Sequence, residues 1–187
     1  MKFNELYKKA SFVIPNSDSV NPQLRAKFIL NSGIEKTEIT ICGLGYFNFK
    51  INGQEVTKDL FTPAESNYHH YDDCFCYKKY GEELSFRIYS MKYDITPYIK
   101  EGENLITAEL GMGWYSVLYG ERRNMNFGKL KLCYEITQGE NIIYSGENIK
   151  WREGPIYDTN FTEGEKQNYL KADYFDSWEN IDYDDSS

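Results

Sequence analysis

The chain has 187 residues, 41% of them hydrophobic and 17% aromatic, a length and balance sufficient for one globular domain with its own core. Its formal charge of -8, from 29 acids against 21 Lys and Arg, excludes a surface built to condense on nucleic acid or an anionic membrane. No uncharged run approaches the roughly 20 apolar residues of a membrane span. The N-terminal Met1-Lys2-Phe3-Asn4-Glu5-Leu6-Tyr7-Lys8-Lys9 lacks the apolar stretch of a secretory signal, which favours a cytoplasmic location.

Short runs that alternate apolar and polar residues, bounded by Gly, Asn and Pro, recur from end to end, and helical periodicity is nearly absent. In chain order, strands are expected over 24–30, 37–42, 46–51, 84–90, 105–110, 130–137, 142–145 and 149–151. Asn52-Gly53 is a strong hairpin signal, because both residues tolerate the positive φ of a type I′ turn, and Gly139-Glu140-Asn141 joins two further strands. In the clearest strand, Leu130, Leu132, Tyr134 and Ile136 share one face, opposite Lys129, Lys131, Glu135 and Thr137. That alternation predicts one wet side. The single helical signal has Thr96 as N-cap, Pro97 in the first turn and Gly102 beyond its end. Eight to ten strands joined by short turns make a sandwich or barrel. From Ala172 to Ser187 there are six acids and no Lys or Arg, so this stretch carries -6 of the -8 and reads as a solvated acidic exit.

The chemistry-bearing motifs are few. There is no GxSxG elbow, Walker loop, HExxH or dinucleotide fingerprint, and the only two histidines are adjacent. Glycoside hydrolysis needs only two carboxylates, so 29 acids leave that chemistry open without pointing to it. The cysteines, Cys42, Cys74, Cys76 and Cys133, do not form a disulfide framework and read as reduced thiols. His69-His70-x3-Cys74-x-Cys76 contains zinc-ligand types, but adjacent histidines on extended chain face opposite ways and there is no CxxC partner elsewhere. Asn160-Phe161-Thr162 is formally a glycosylation sequon, read as incidental in a chain without an export signal. Aromatic residues in loops stand out: Tyr68, Tyr71, Trp114, Tyr115 and Tyr119. Planar rings at the end of a sandwich suit the C–H faces of sugars, and they equally suit plugging a core or packing on a neighbouring domain.

The segment from Gly43-Leu44-Gly45-Tyr46 through Ile51-Asn52-Gly53-Gln54-Glu55-Val56 resembles a signature of the N-terminal domain of bacterial α-L-rhamnosidases, glycoside hydrolase family 78. Four further segments follow the same family in order. Ala10-Ser11-Phe12 with Leu24-Arg25-Ala26-Lys27-Phe28 resembles its opening strand. Tyr93-Asp94-Ile95-Thr96 to Gly102-Glu103-Asn104 is similar to its "YDVT…GEN" element, and Leu110-Gly111-Met112-Gly113-Trp114-Tyr115 to "LGxGWY". Gly154-Pro155-Ile156, Gly164-Glu165, Tyr169 to Asp173 and Trp178 resemble its closing stretch. The chain departs from the family in a segment around Asp73 to Leu84, which carries Cys74 and Cys76 and which typical members lack.

The resemblance implies an all-β jelly-roll sandwich of the galactose-binding-like kind over 10–178, with 1–9 as an N-terminal extension and 179–187 as an acidic linker or tail. It implies a non-catalytic accessory domain beside an (α/α) barrel, with a rhamnose-containing carbohydrate and that barrel as partners. Related modules bind rhamnose with calcium, so a calcium ion is a possible cofactor. The family positions carried over as ligand-binding candidates are Asn52, Asp59, Tyr68, Trp114 and Tyr115. A purely structural domain packed on the barrel is the alternative.

Overall fold

The computed structural model describes residues 9–16, 18–30, 35–73, 75–76, 78–117, 126–160, 164–172 and 175–184. Eleven strands are found among them: β1 (Pro22–Leu30), β2 (Thr37–Leu44), β3 (Tyr46–Ile51), β4 (Gln54–Glu55), β5 (Met91–Asp94), β6 (Gly102–Gly111), β7 (Lys131–Gln138), β8 (Asn141–Tyr144), β9 (Lys150–Glu153), β10 (Ile156–Asn160) and β11 (Gly164–Gln167). They form a five-stranded sheet in the order β4-β3-β6-β1-β9, a four-stranded sheet in the order β5-β2-β7-β8, and the separate hairpin β10-β11. The pairings are antiparallel.

Register decides which side chains meet. In the larger sheet Phe47, Phe49 and Ile51 lie opposite Leu110, Ala108 and Ile106, with Leu24 and Ala26 on the same face across β1. In the smaller sheet Ile39 and Ile41 lie opposite Ile136 and Tyr134. These residues are buried and belong to one apolar cluster, so the inner faces of the two sheets make the core of an all-β sandwich.

Most expected strands are present within a few residues of their expected bounds, and Asn52 and Gly53 turn the β3–β4 hairpin at φ 51° and 76°. Three expectations need correction. Over 84–90 the chain is not a strand: it leaves the 3-10 segment Lys78–Leu84 and stays irregular until β5 begins at Met91. Thr96 does not cap its turn. Its hydroxyl accepts from the Thr37 N–H at 2.9 Å and ties Thr96–Tyr98 to β2, while Asp94 accepts from the Thr96 N–H.

The outward face of β7 is wet only toward its ends, where Lys129 is exposed and Lys131 and Thr137 are half-buried; its middle is not. Cys133 is 0% exposed and Glu135 only 9% exposed. The same is true of the larger sheet, where Arg25 and Thr107 point outward from neighbouring strands and are buried. Each outer face carries a cover that alternation along one strand cannot reveal.

On the larger sheet the cover is the C-terminal segment. Trp178, buried at the end of the short helix Phe175–Trp178, lies 5.4 Å from the Arg25 guanidinium and 4.3 Å from that of Arg152. Tyr183 stacks 5.1 Å from Arg25, and the Asn180 carbonyl accepts from Arg25 Nη2 at 3.2 Å. Both Glu179 carboxylate oxygens take the Lys50 ammonium, at 2.6 and 2.8 Å. The acidic exit therefore lies against the sheet at least as far as Tyr183, because the outward positions of β1, β3 and β9 supply the cations its acids and rings need.

Candidate functional site

The loop aromatics converge where β3 begins and β6 ends. Tyr46 lies in register with Gly111, so the chain leaving β6 as Met112-Gly113-Trp114-Tyr115 passes beside the Tyr46 ring. Gly45 makes the approach possible at φ 105°, where an added Cβ would stand 2.6 Å from the Gly111 carbonyl oxygen. Gly113, at φ 51°, lies against the ring itself, with its missing Cβ 3.2 Å from Tyr46 Cγ. Trp114 lies close enough to the Tyr46 hydroxyl to pull its pKa down, against the larger upward effect of burial.

A second segment arrives after β4. The Phe49 N–H donates to the Thr57 hydroxyl at 2.7 Å and the Phe47 N–H to the Thr62 carbonyl at 2.7 Å, which lays residues 57–62 along β3. Leu60 and Phe61 form the tip of this segment, 85% and 65% exposed. Phe61 sits at φ 58°, a conformation costly for a bulky side chain, with its ring 5.5 Å from that of Tyr46. Glu65 is exposed and close enough for its charge to raise the pKa of both Tyr46 and Tyr68, although burial is the larger cause in each.

The remaining rings turn inward. Tyr68 meets Tyr115 edge-on at 5.1 Å and Phe127 at 5.3 Å, and His69 meets Phe127 edge-on at 4.6 Å. The Tyr115 hydroxyl donates to the Phe127 carbonyl at 3.1 Å, and the Lys131 ammonium stands 6.0 Å over the Tyr115 ring. Tyr68 lies within electrostatic reach of the Cys42 thiol. This layer packs against the core cluster and flanks the smaller sheet, with Tyr68 toward the buried Cys42. Desolvation holds the Tyr68 and Tyr115 phenols above the ordinary tyrosine range.

The five candidates thus divide. Trp114, Tyr68 and Tyr115 come together around Tyr46, but Tyr115 is only 5% exposed and its hydroxyl is spent on Phe127, so its part is structural. Asp59 is exposed on the 57–62 segment, where its charge acts on Tyr93. Asn52 lies at the other end of β3: its Nδ2 donates to the Tyr98 carbonyl at 2.9 Å and Asn104 Oδ1 at 2.8 Å, and its Oδ1 accepts from the Leu105 N–H at 2.9 Å. That amide locks the hairpin to β6 and has little left for a ligand. Tyr46, Phe61, Glu65 and Phe127 complete the arrangement without having been singled out. Tyr46 stood inside the Gly43–Val56 motif, whereas nothing local to Phe61 or Phe127 distinguished them. Tyr119, Cys74 and, from the sequon, Phe161 and Thr162 lie outside the described residues.

His69 is used in packing, and His70 Nε2 lies 3.0 Å from Glu82, joining the ends of the 71–84 segment. Among the described residues no three His, Cys, Asp or Glu side chains converge on a point. Calcium takes six to eight oxygen ligands, usually several of them carboxylates. Glu65 and Asp59 alone do not supply that set, and nothing below is derived through a metal. No helix among the described residues is long and apolar enough to cross a membrane.

The sequence model of the α-L-rhamnosidase N-terminal domain matches residues 32–187. The chain belongs to this family. It is 30% identical over 175 residues to an α-L-rhamnosidase of Formosa agariphila, covering 87% of this chain and 16% of that protein. It is 25% identical over 182 residues to one of Streptomyces avermitilis, covering 92% and 16%. Among solved structures, α-L-rhamnosidase from Aspergillus terreus aligns with a TM-score of 0.75 at 20% identity over 100% of this chain and 21% of that one. The Streptomyces avermitilis enzyme, solved with L-rhamnose, aligns at 0.70 and 22% identity over 90% and 15%. These last two show the shared fold. The rhamnosidase N-terminal domain thus spans about a sixth of the curated relatives it matches.

Proposed function

We propose that the chain is a non-catalytic accessory domain of an α-L-rhamnosidase, and that the face formed by Leu60, Phe61 and Trp114 beside Glu65 recognises an L-rhamnosyl group. The observation that carries this reading is the exposed Phe61 ring, held at positive φ against the Tyr46–Trp114 pair with a carboxylate nearby. A 6-deoxyhexose has an apolar methyl group and C–H faces beside its hydroxyls. Phe61 and Leu60 would take the former, while Glu65 and Asp59 accept from the latter. Contacts of this size give millimolar affinity that salt leaves unchanged.

Isothermal titration with L-rhamnose, with D-glucose as control, tests it. Saturable heat with L-rhamnose is expected, lost in Phe61→Ser and Trp114→Ala while the fold is retained. No heat at millimolar sugar removes the binding claim. A docking face for a catalytic barrel is the second reading, favoured by the apolar tip of Leu60 and Phe61 and by the greater length of the relatives. Under that reading Phe61→Ser weakens assembly of the longer enzyme and leaves sugar affinity alone.

A further inference from the structure

Asn52-Gly53 is the one Asn-Gly pair in the sequence, and its chemistry goes beyond turning a hairpin. In such a pair the backbone nitrogen of the glycine can attack the side-chain carbon of the asparagine, because a residue without a side chain leaves that nitrogen unhindered. The turn is open to water, since Gly53, Gln54 and Glu55 are exposed. What stands in the way is geometry. Asn52 Nδ2 donates to the Tyr98 carbonyl at 2.9 Å and to Asn104 Oδ1 at 2.8 Å, and Asn52 Oδ1 accepts from the Leu105 N–H at 2.9 Å. The Asn52 backbone N–H donates to the Leu105 carbonyl at 2.8 Å. The side-chain carbon is thus held toward β6 and the Thr96–Tyr98 turn, and swinging it onto the Gly53 nitrogen breaks all three side-chain bonds at once.

We propose that Asn52 is a modification site closed by the fold: it resists deamidation while the turn is docked on β6 and is converted when the turn opens. The hairpin is suited to local opening, because β4 has two residues and only Lys50–Glu55 and Ile51–Gln54 pair across it. In the open turn, hydroxide takes the Gly53 amide proton. The Gly53 nitrogen then bonds Asn52 Cγ, the Cγ–Nδ2 bond breaks, and ammonia leaves with a proton from water, closing a succinimide. Water opens that ring at either carbonyl and leaves an aspartate or an isoaspartate. One water is consumed and one ammonia released, with no oxidant or reductant.

For the fold the change is one-way. An ionised carboxylate at position 52 has no hydrogen to donate, so it sets oxygen against oxygen at Tyr98 and Asn104. Asn104, fully buried, cannot turn to donate in its place. Its Nδ2 is given to the Lys100 and Gly102 carbonyls at 2.7 and 3.0 Å, and its Oδ1 accepts from the Lys100 N–H at 2.9 Å. The site lies at the far end of β3 from the aromatic face and does not depend on whether that face binds sugar.

The test holds the chain in mildly alkaline buffer, folded or in urea, and follows the tryptic peptide 51–58 by mass spectrometry. The peptide should gain one mass unit at Asn52 at least tenfold faster in urea than in the folded chain. Asn104→Ala, which removes one of the acceptors, should speed the folded-state reaction. Asn52→Asp should melt several degrees below the wild type or fail to fold. The inference is overturned by a folded-state rate less than tenfold below that in urea, by a folded Asn104→Ala chain that reacts no faster, or by an Asn52→Asp chain that melts with the wild type.

Discussion

The two sheets of this sandwich are covered on their outer faces by unlike means. The larger is covered by cations and their partners: Arg25 and Arg152 about Trp178, Tyr183 on Arg25, Lys50 on Glu179. The smaller is flanked by rings packed on rings, with Tyr68 toward the buried Cys42 thiol. Both covers come from segments that are not strands, and both bury polar or thiol positions that a two-layer sandwich would leave wet. The difference lies in what each leaves outside. The C-terminal cover turns Trp178, Tyr183 and Glu179 inward onto Arg25, Arg152 and Lys50, whereas the aromatic cover is held inward by Tyr115 and Phe127 and leaves Leu60, Phe61 and Glu65 facing solvent. A surface of that kind is where a partner can be recognised.

The contrast breaks most visibly at Trp178. Trp178→Ala should cost about 3–5 kcal/mol by urea unfolding, since it empties a buried aromatic site and strips the ring from two guanidiniums, one of them buried. Alkaline pH should instead act on the buried phenols of the aromatic layer and the core. Tyr46, Tyr68, Tyr93, Tyr115 and Tyr134 all have pKa values raised by burial. Their folded values exceed the unfolded one of about 10, so the folded state holds more protons, and their contribution is complete below that pH and lost as pH climbs above it. Absorbance titration at 295 nm should show these phenols ionising late, together with unfolding, and a set that ionises normally before unfolding would contradict their burial.

Much of the sandwich could be read from alternation, because a strand's pattern reports the face it buries. The covers could not, because Arg25 and Cys133 are buried by residues distant in sequence. Residues 84–90 misled for a related reason: Leu84, Phe86 and Ile88 alternate, but this stretch is tied to the insertion by the Phe86 N–H donating to the His69 carbonyl, and β2 is paired from Met91 onward. At the site, Trp114 and Tyr68 were legible as loop aromatics. That Tyr115 faces inward and Asn52 serves a hairpin depends on hydrogen bonds no local pattern encodes.

Smaller changes sharpen the comparison. Gly113→Ala should cost about 1–3 kcal/mol, because the new methyl presses on the Tyr46 ring at a backbone angle unsuited to it. Tyr115→Phe should cost about 1 kcal/mol for the lost bond to Phe127. Lys50→Gln should cost about 0.5 kcal/mol at low salt and nothing measurable at high salt, since Lys50 and Glu179 are each more than a third exposed. An equal salt sensitivity for Tyr115→Phe would mean that the covers do not differ as described.

The most direct measurement is amide hydrogen exchange by mass spectrometry, with and without saturating L-rhamnose. Slowed exchange confined to residues 57–68 and 112–117, with the Trp178 segment unchanged, is the predicted result. Slowing at the Trp178 segment, or none anywhere at saturating sugar, would contradict a recognition surface on the aromatic cover.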